Sequence, residues 1–159
     1  MLEANLRGVI IEIPTSWSDV PFKNYIKFLD CDFTPKSVVM ALTSINSNDY
    51  DRLTIADLGA INIALSFTID LPNAFISDED IKKIDIGFET YGKIELCKAK
   101  LIEVDKPFKA LITICSTYLE KDVSNEPTST IYPIGCFFLT KLIAFSRNTN
   151  ALMTISHRH

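Results

Sequence analysis

The spacing of apolar residues changes period several times along this chain, and each change marks an element. Over residues 7–13, β-branched side chains crowd a short run that Pro14 stops, the signature of a strand. Over residues 20–30, Phe22, Tyr25, Ile26 and Leu29 fall at i, i+3, i+4 and i+7, so the spacing predicts a helix with one buried face. Pro21 suits its first turn, where a missing N–H is not needed. Trp17, in the turn between strand and helix, is expected to fold back as an anchor over that helix. Thr34-Pro35 reads as the N-cap and first residue of a second helix, with Val38, Leu42 and Ile45 inward and an end near Asn46. The polar run Asn46-Ser47-Asn48-Asp49 reads as a loop. Thr54 and Asp57 then have the spacing of a capping box. Behind them, residues 55–67 predict a helix that is apolar nearly all round: Ile55, Leu58, Ile61, Ile63, Leu65 and Phe67. Such a helix is either buried or covered by a partner.

Leu71-Pro72-Asn73 closes this helical half, residues 18–70. After a charged stretch, residues 77–83, the period becomes two: Ile84, Ile86 and Phe88 alternate with Asp85, Gly87 and Glu89. A turn at Tyr91-Gly92 completes a predicted hairpin over residues 84–97. A lone hairpin is marginally stable, so it needs the first strand or a helix as cover. Residues 106–121 predict a helix with Asp105 as N-cap and Pro107 in its first turn. Its inward face is Phe108, Leu111, Ile112, Cys115, Tyr118 and Leu119. A polar loop, residues 122–130, precedes a last helix over 132–147, and residues 149–159 form a tail with a basic end. The expected fold is α+β: a mainly helical single domain, residues 1–148, with an N-terminal strand and a central β-hairpin.

Composition narrows the chemistry. Of 159 residues, 47% are hydrophobic and 23% charged, the balance of a globular chain that buries a core. The net charge is −4 and the lysines alternate with acids, so no basic face for nucleic acid is expected. Residues 55–69 and 131–145 are the most apolar windows, but Asp57, Asn62, Pro133 and Lys141 interrupt them, which argues against a membrane span. No basic-then-apolar leader opens the sequence, so a cytoplasmic setting is expected. Cys31, Cys97, Cys115 and Cys136 lie far apart, without a C-x-x-C pair, and the only histidines are His157 and His159. Buried free thiols are expected, and no metal set.

Hydrolytic chemistry needs a nucleophile beside a base, and both histidines sit in the tail. The glycines are isolated, so no phosphate-cradling loop exists. Asp78-Glu79-Asp80 and the pairs Asp30/Asp32 and Asp49/Asp51 lack the calcium-loop pattern. No catalytic residue, cofactor or metal ligand is therefore expected. A small enzyme or ligand-binding domain would have only Asp57, Glu89 or Cys97 to work with, each better explained as a cap or surface group. The aromatic residues exceed what two short helices need. They either all enter the core or form a contact surface, and the adjacent Phe137 and Phe138 point about 100° apart on a helix.

The segment Ile13-Pro14-Thr15-Ser16-Trp17-Ser18-Asp19-Val20, followed by Phe22-Lys23-Asn24-Tyr25, resembles the opening of small tailed-bacteriophage proteins of the tail-assembly-chaperone and baseplate-assembly type. The later order is similar too: Phe88-Glu89-Thr90-Tyr91-Gly92, then the Phe108–Leu119 face, then Ile131-Tyr132-Pro133 opening a last helix. Pro21 departs from the pattern, where Thr or Val is more usual. The resemblance implies a non-enzymatic structural or assembly protein of the tail, baseplate or neck, either a transient chaperone or a virion component. Implied partners are other phage structural proteins (tail, baseplate, portal or neck) or further copies in an oligomer or ring. The implied setting is the host cytoplasm during assembly, or the virion. Contact would run through Trp17, Phe22, Tyr25, Tyr132 and Phe138, with Trp17 first, since tryptophan is enriched in hot spots. A host-encoded regulatory or binding domain is the alternative, ahead of a small ligand-binding or enzymatic one.

Overall fold

A computed structural model describes residues 1–6, 8–83 and 91–156, and gives the backbone alone for residues 80, 83, 91 and 145–156. The fold is mainly helical, with one two-stranded antiparallel sheet at the N-terminus among the described residues. Strands β1 (Leu2–Leu6) and β2 (Val9–Ile13) pair with Leu2 opposite Ile13 and Leu6 opposite Val9. Gly8 adopts φ +83° in the connection, where its N–H donates to Asn5 Oδ1 at 3.0 Å. The predicted strand over residues 7–13 is β2. Its partner was not anticipated, because Leu-Glu-Ala-Asn-Leu lacks the β-branched and aromatic residues that mark strands. Ile11 and Ile13 point inward while Ile10 and Glu12 point out, the period of two made visible.

The chain packs as two compact units, Met1–Asn73 with Ser124–Ile131, and Ala74–Val123 with the chain from Tyr132 onward. In the first, helix α1 (Phe22–Asp30) buries Phe22, Tyr25 and Phe28 and exposes Lys23, Lys27 and Asp30. Helix α2 (Pro35–Leu42) begins as expected, with Thr34 Oγ1 accepting from the Ser37 N–H at 3.3 Å and Pro35 at its first position. It stops at Leu42, short of Asn46. The Thr43 hydroxyl turns back to the Val39 carbonyl at 2.8 Å, and Thr43 leaves the helical conformation. Asn46, read as loop, caps the single-turn helix α3 (Ser47–Tyr50) by accepting from the Asp49 N–H at 3.0 Å. Helix α4 (Ile55–Ala64) starts from the Thr54–Asp57 capping box and tightens into a 3₁₀ turn, Leu65–Ile69.

The second unit holds α5 (Asp78–Lys83), α6 (Tyr91–Glu103), a 3₁₀ turn Pro107–Ala110, α7 (Leu111–Leu119) and most of α8 (Thr128–Ser156). Ile94, Cys97, Ala110, Ile114, Phe138 and Leu142 form its core. Tyr118 stacks on Phe138 with ring centroids 4.0 Å apart. At Gly135 a Cβ would stand 3.2 Å from both Cys115 Sγ and Leu111 Cδ2, a tight fit that would require those side chains to shift by a few tenths of an ångström.

Several expectations require correction. The second strand of the predicted central hairpin is helix, since Lys93–Cys97 belongs to α6, and the first, over residues 84–90, lies outside the described residues. A five-residue alternation fits either period. The longer register decides, with Ile94, Cys97 and Leu101 at i, i+3 and i+7 on the side packed in the core. On α7 the inward face is Leu111, Ile114 and Cys115, rotated from the predicted one, and Ile112 and Leu119 are only half-buried. Asp105 does not cap that segment but pairs with Lys109 at 3.0 Å. Helix α8 starts at Thr128, ahead of Pro133, and continues to Ser156 through most of the predicted tail. Of the four thiols, Cys97 and Cys115 are buried, whereas Cys31 and Cys136 are half-exposed.

Candidate protein-contact surface

The turn after β2 is built by its own polar side chains. Asp19 accepts from the Thr15 N–H and hydroxyl, each at 2.9 Å, and from the N-terminal ammonium at 2.7 Å. That ammonium and the Thr15 N–H hold the Asp19 carboxyl down to about 2. The turn delivers Trp17 onto α1, where its ring packs edge-on against Tyr25 at 5.1 Å and tilted against Phe28 at 5.7 Å. A third aromatic, Phe67, meets it at 5.0 Å, and the Trp17 Nε1–H donates to the Asp70 carbonyl at 2.8 Å. Trp17 thus ties α1 to the 3₁₀ turn that prolongs α4, and so fixes where α4 leaves the core.

A second set of bonds, all between main-chain groups far apart in sequence, closes the same unit. The first N–H groups of α1, at Phe22 and Lys23, donate to the carbonyls of Glu126 and Ser124, each at 2.9 Å. Reciprocally, the first N–H groups of α8, at Thr128 and Ser129, donate to the carbonyls of Val20 at 2.9 Å and Trp17 at 3.3 Å. Each helix start thereby finds acceptors for donors that its own turn cannot satisfy. The buried Thr128 hydroxyl adds a bond of 2.7 Å to Val20 O.

Helix α4 is held by one side only. Ile61 and Leu65 are buried, 0% and 4% exposed, while Ile55 and Ile63 are 91% and 77% exposed. At 100° per residue, Ile55, Ala56, Gly59, Ala60, Asn62 and Ile63 occupy one continuous arc, and all are exposed. No ionisable residue occurs from Leu58 to Ile69. The one acid at the helix start, Asp57, is turned into the cap, where it accepts from the Thr54 N–H at 2.8 Å and hydroxyl at 2.6 Å. Past the helix, Ile69 and Leu71 are exposed as well, on either side of the exposed Asp70. An exposed helix face without charge, apolar but for Asn62 at its edge, is what protein-contact sites look like before their partner arrives.

The residues expected to make contact are elsewhere. Phe22, Tyr25 and Phe138 are 0%, 1% and 0% exposed, so their rings pack wholly within the chain and leave a partner nothing to touch. Trp17 and Tyr132 are half-buried. Tyr132 stands one turn before Cys136 and hydrogen-bonds its thiol. The signal for the α4 face was in the sequence, in the all-round apolarity of residues 55–67, but weighting aromatic residues drew attention to side chains that the core consumes.

The other candidate groups find ordinary places. Asp57 is the cap, Cys97 is fully buried in the second unit's core, and Glu89 lies outside the described residues, as do His157 and His159. Burial pushes the Cys115 thiol up to about 12, so it offers no thiolate at neutral pH. Among the described residues no group of three or more His, Cys, Asp or Glu could hold a metal ion. No described helix is long and apolar enough to cross a membrane. The second unit contains an open cleft of about 510 Å³ with Phe75, Ile76, Ile81 and Phe137 on its walls. Of its ionisable lining residues, Asp78 and Lys141 are exposed and Cys136 is half-buried, its thiol pushed up by that burial. No family model, curated protein or solved structure matches the chain.

Proposed function

We propose that this chain is a non-enzymatic structural or assembly component of a tailed bacteriophage, acting in the tail, baseplate or neck through protein–protein contact made by the α4 face. The observation that supports contact as its mode of action is the uncharged apolar arc of α4, with Ile55 and Ile63 exposed by 91% and 77%. Each isoleucine, once fully covered, contributes about 1.5–3 kcal/mol of hydrophobic stabilisation to a complex. The phage setting rests on the resemblance of residues 13–25. On this reading the protein works in the host cytoplasm during assembly or stays in the finished particle, alongside other tail, baseplate or portal proteins.

Mass spectrometry tests it, on particles and assembly intermediates of the phage whose genome encodes the chain. The chain is expected in one of the two fractions. A double variant, Ile55→Glu with Ile63→Glu, should fold with an unchanged circular dichroism spectrum and be lost from that fraction. Absence of the chain from both fractions, with normal particles after deletion of its gene, overturns the phage reading. The host-encoded binding domain then takes its place with the same contact face.

A further inference from the structure

We propose that the cleft of the second unit binds a single-chain amphiphile with an anionic head, a fatty carboxylate, with its hydrocarbon chain along the cleft and its head on the Lys141 ammonium. The site is independent of the α4 face, since its lining residues all belong to the second unit. Three observations carry it.

The first is the make-up of the walls. On α8, Phe137, Thr140, Lys141 and Ala144 fall at i, i+3, i+4 and i+7, a single stripe of the helix. The facing wall comes from the segment leading into α5, with Phe75, Ile76 and Ile81. Phe75 is 78% exposed, a ring displayed at the cleft rather than taken into the core. The volume of about 510 Å³ falls in the range of small-molecule sites, roughly 300–1,000 Å³.

The second is what the walls withhold. The Thr140 hydroxyl donates to the Cys136 carbonyl at 2.8 Å, one turn back on α8. The Cys136 thiol shares a hydrogen bond with Tyr132 and is kept neutral by burial. Both uncharged polar groups of the α8 wall are thus engaged. A polar ligand body would give up its bonds to water there without replacing them, whereas a hydrocarbon chain has none to lose.

The third is the charge at the lip. Lys93, Lys98, Lys100 and Lys109 of the same unit each pair with a carboxylate at 2.6–3.1 Å. Lys141 makes no ion pair among the described residues, and its ammonium lies over the Phe137 ring, 5.5 Å from the centroid. Asp78 is the one acid among the described lining residues. It opens α5, where a carboxylate offsets the positive end of the helix, so it already has a use within the chain. The unmatched charge is the cation, and it stands among apolar walls. That pairing selects a single negative head on a hydrocarbon tail.

Calorimetric titration of the full chain with decanoate, decanol and decyltrimethylammonium, each as dissolved monomers, tests this. One decanoate per chain should bind. From octanoate to dodecanoate, affinity should rise about two- to fourfold per added methylene, the gain of a half to fully covered CH₂. Decanol should bind about three- to fivefold more weakly than decanoate, the worth of one exposed ion pair, and the cationic amphiphile more weakly still. Lys141→Ala should bring decanoate down to the level of decanol and leave decanol unchanged. Ala144→Trp, at an exposed position in the wall, should block decanoate with an unchanged circular dichroism spectrum. Ile102→Glu, which removes an exposed isoleucine from α6, should change nothing. Absence of decanoate binding up to about 1 mM overturns the proposal. So does decyltrimethylammonium binding as tightly as decanoate, or decanoate binding that survives Ala144→Trp. Binding to phosphatidylglycerol vesicles without binding of monomeric decanoate also overturns it, and makes the cleft a membrane contact instead.

Discussion

Helices α1 and α4 lie in the same unit, are nearly equal in length and are both rich in apolar residues, yet they present them in opposite ways. On α1 the apolar residues gather on one side, Phe22, Tyr25 and Phe28, with Lys23, Lys27 and Asp30 on the other. That segregation has a single solution, with the aromatic side in the core and the charged side in water. On α4 the residues are apolar all round, and the core takes only Ile61, Leu65 and their neighbours. The remaining side faces outward unrelieved by charge. Amphipathicity therefore reports burial within the chain, while apolarity beyond it reports a second surface in need of cover.

The comparison breaks most visibly at the aromatic side. Phe22→Ala should cost about 3–5 kcal/mol in urea denaturation, as expected for a fully buried ring that leaves a cavity. Next comes the tie between the two helices. Trp17→Phe keeps an aromatic ring but removes the hydrogen bond to Asp70, and should cost about 1–2 kcal/mol. Hydrogen exchange should show faster opening at the 3₁₀ turn Leu65–Ile69 than in α1. The cap of α4 is smaller again: Thr54→Ala should lower stability by about 1 kcal/mol. At the foot of the scale, Ile55→Ala should change the stability of dilute protein by no more than about 0.5 kcal/mol. A loss there as large as that of Phe22→Ala would erase the distinction drawn between the helices.

What the sequence made legible were features set by neighbours in the chain. Thr34-Pro35 and Thr54-x-x-Asp57 are complete local instructions, and both helices begin where these residues say. Trp17 was placed over the first helix by the same kind of short-range argument, and its rings do meet there. The mistakes come where a segment is too short to fix its own period or where a distant segment supplies the missing partner. Leu2–Leu6 becomes a strand because Val9–Ile13 lies beside it, not through its own preference. Lys93–Cys97 alternates like a strand but is carried into a helix by the residues that follow. Pro133 looked like a helix start, whereas the start lies at Thr128, where carbonyls of Trp17 and Val20 accept the first N–H groups. For the candidate site, the sequence marked α4 as a helix needing cover but could not say which of its sides the core would take. That depends on Trp17, whose ring meets Phe67 and whose Nε1–H reaches the Asp70 carbonyl 53 residues further along the chain.

The reciprocal bonding of the two helix starts also bears on how the chain comes into being. The main-chain partners are separated by 101 residues at Lys23 and Ser124, 104 at Phe22 and Glu126, 108 at Val20 and Thr128, and 112 at Trp17 and Ser129. At roughly 5–20 residues per second, a ribosome delivers the later partner about 5–20 s after the earlier one. Over that interval Phe22 and Lys23 must leave their amide groups to water, and the first unit exists without its closing segment. The equilibrium penalty of so long a loop is slight, growing by only about 0.6 kcal/mol per doubling of length, but the delay is real. A nascent chain in this state shows its aromatic side and its α4 side at once, and is most exposed to wrong company just before Ser124 emerges.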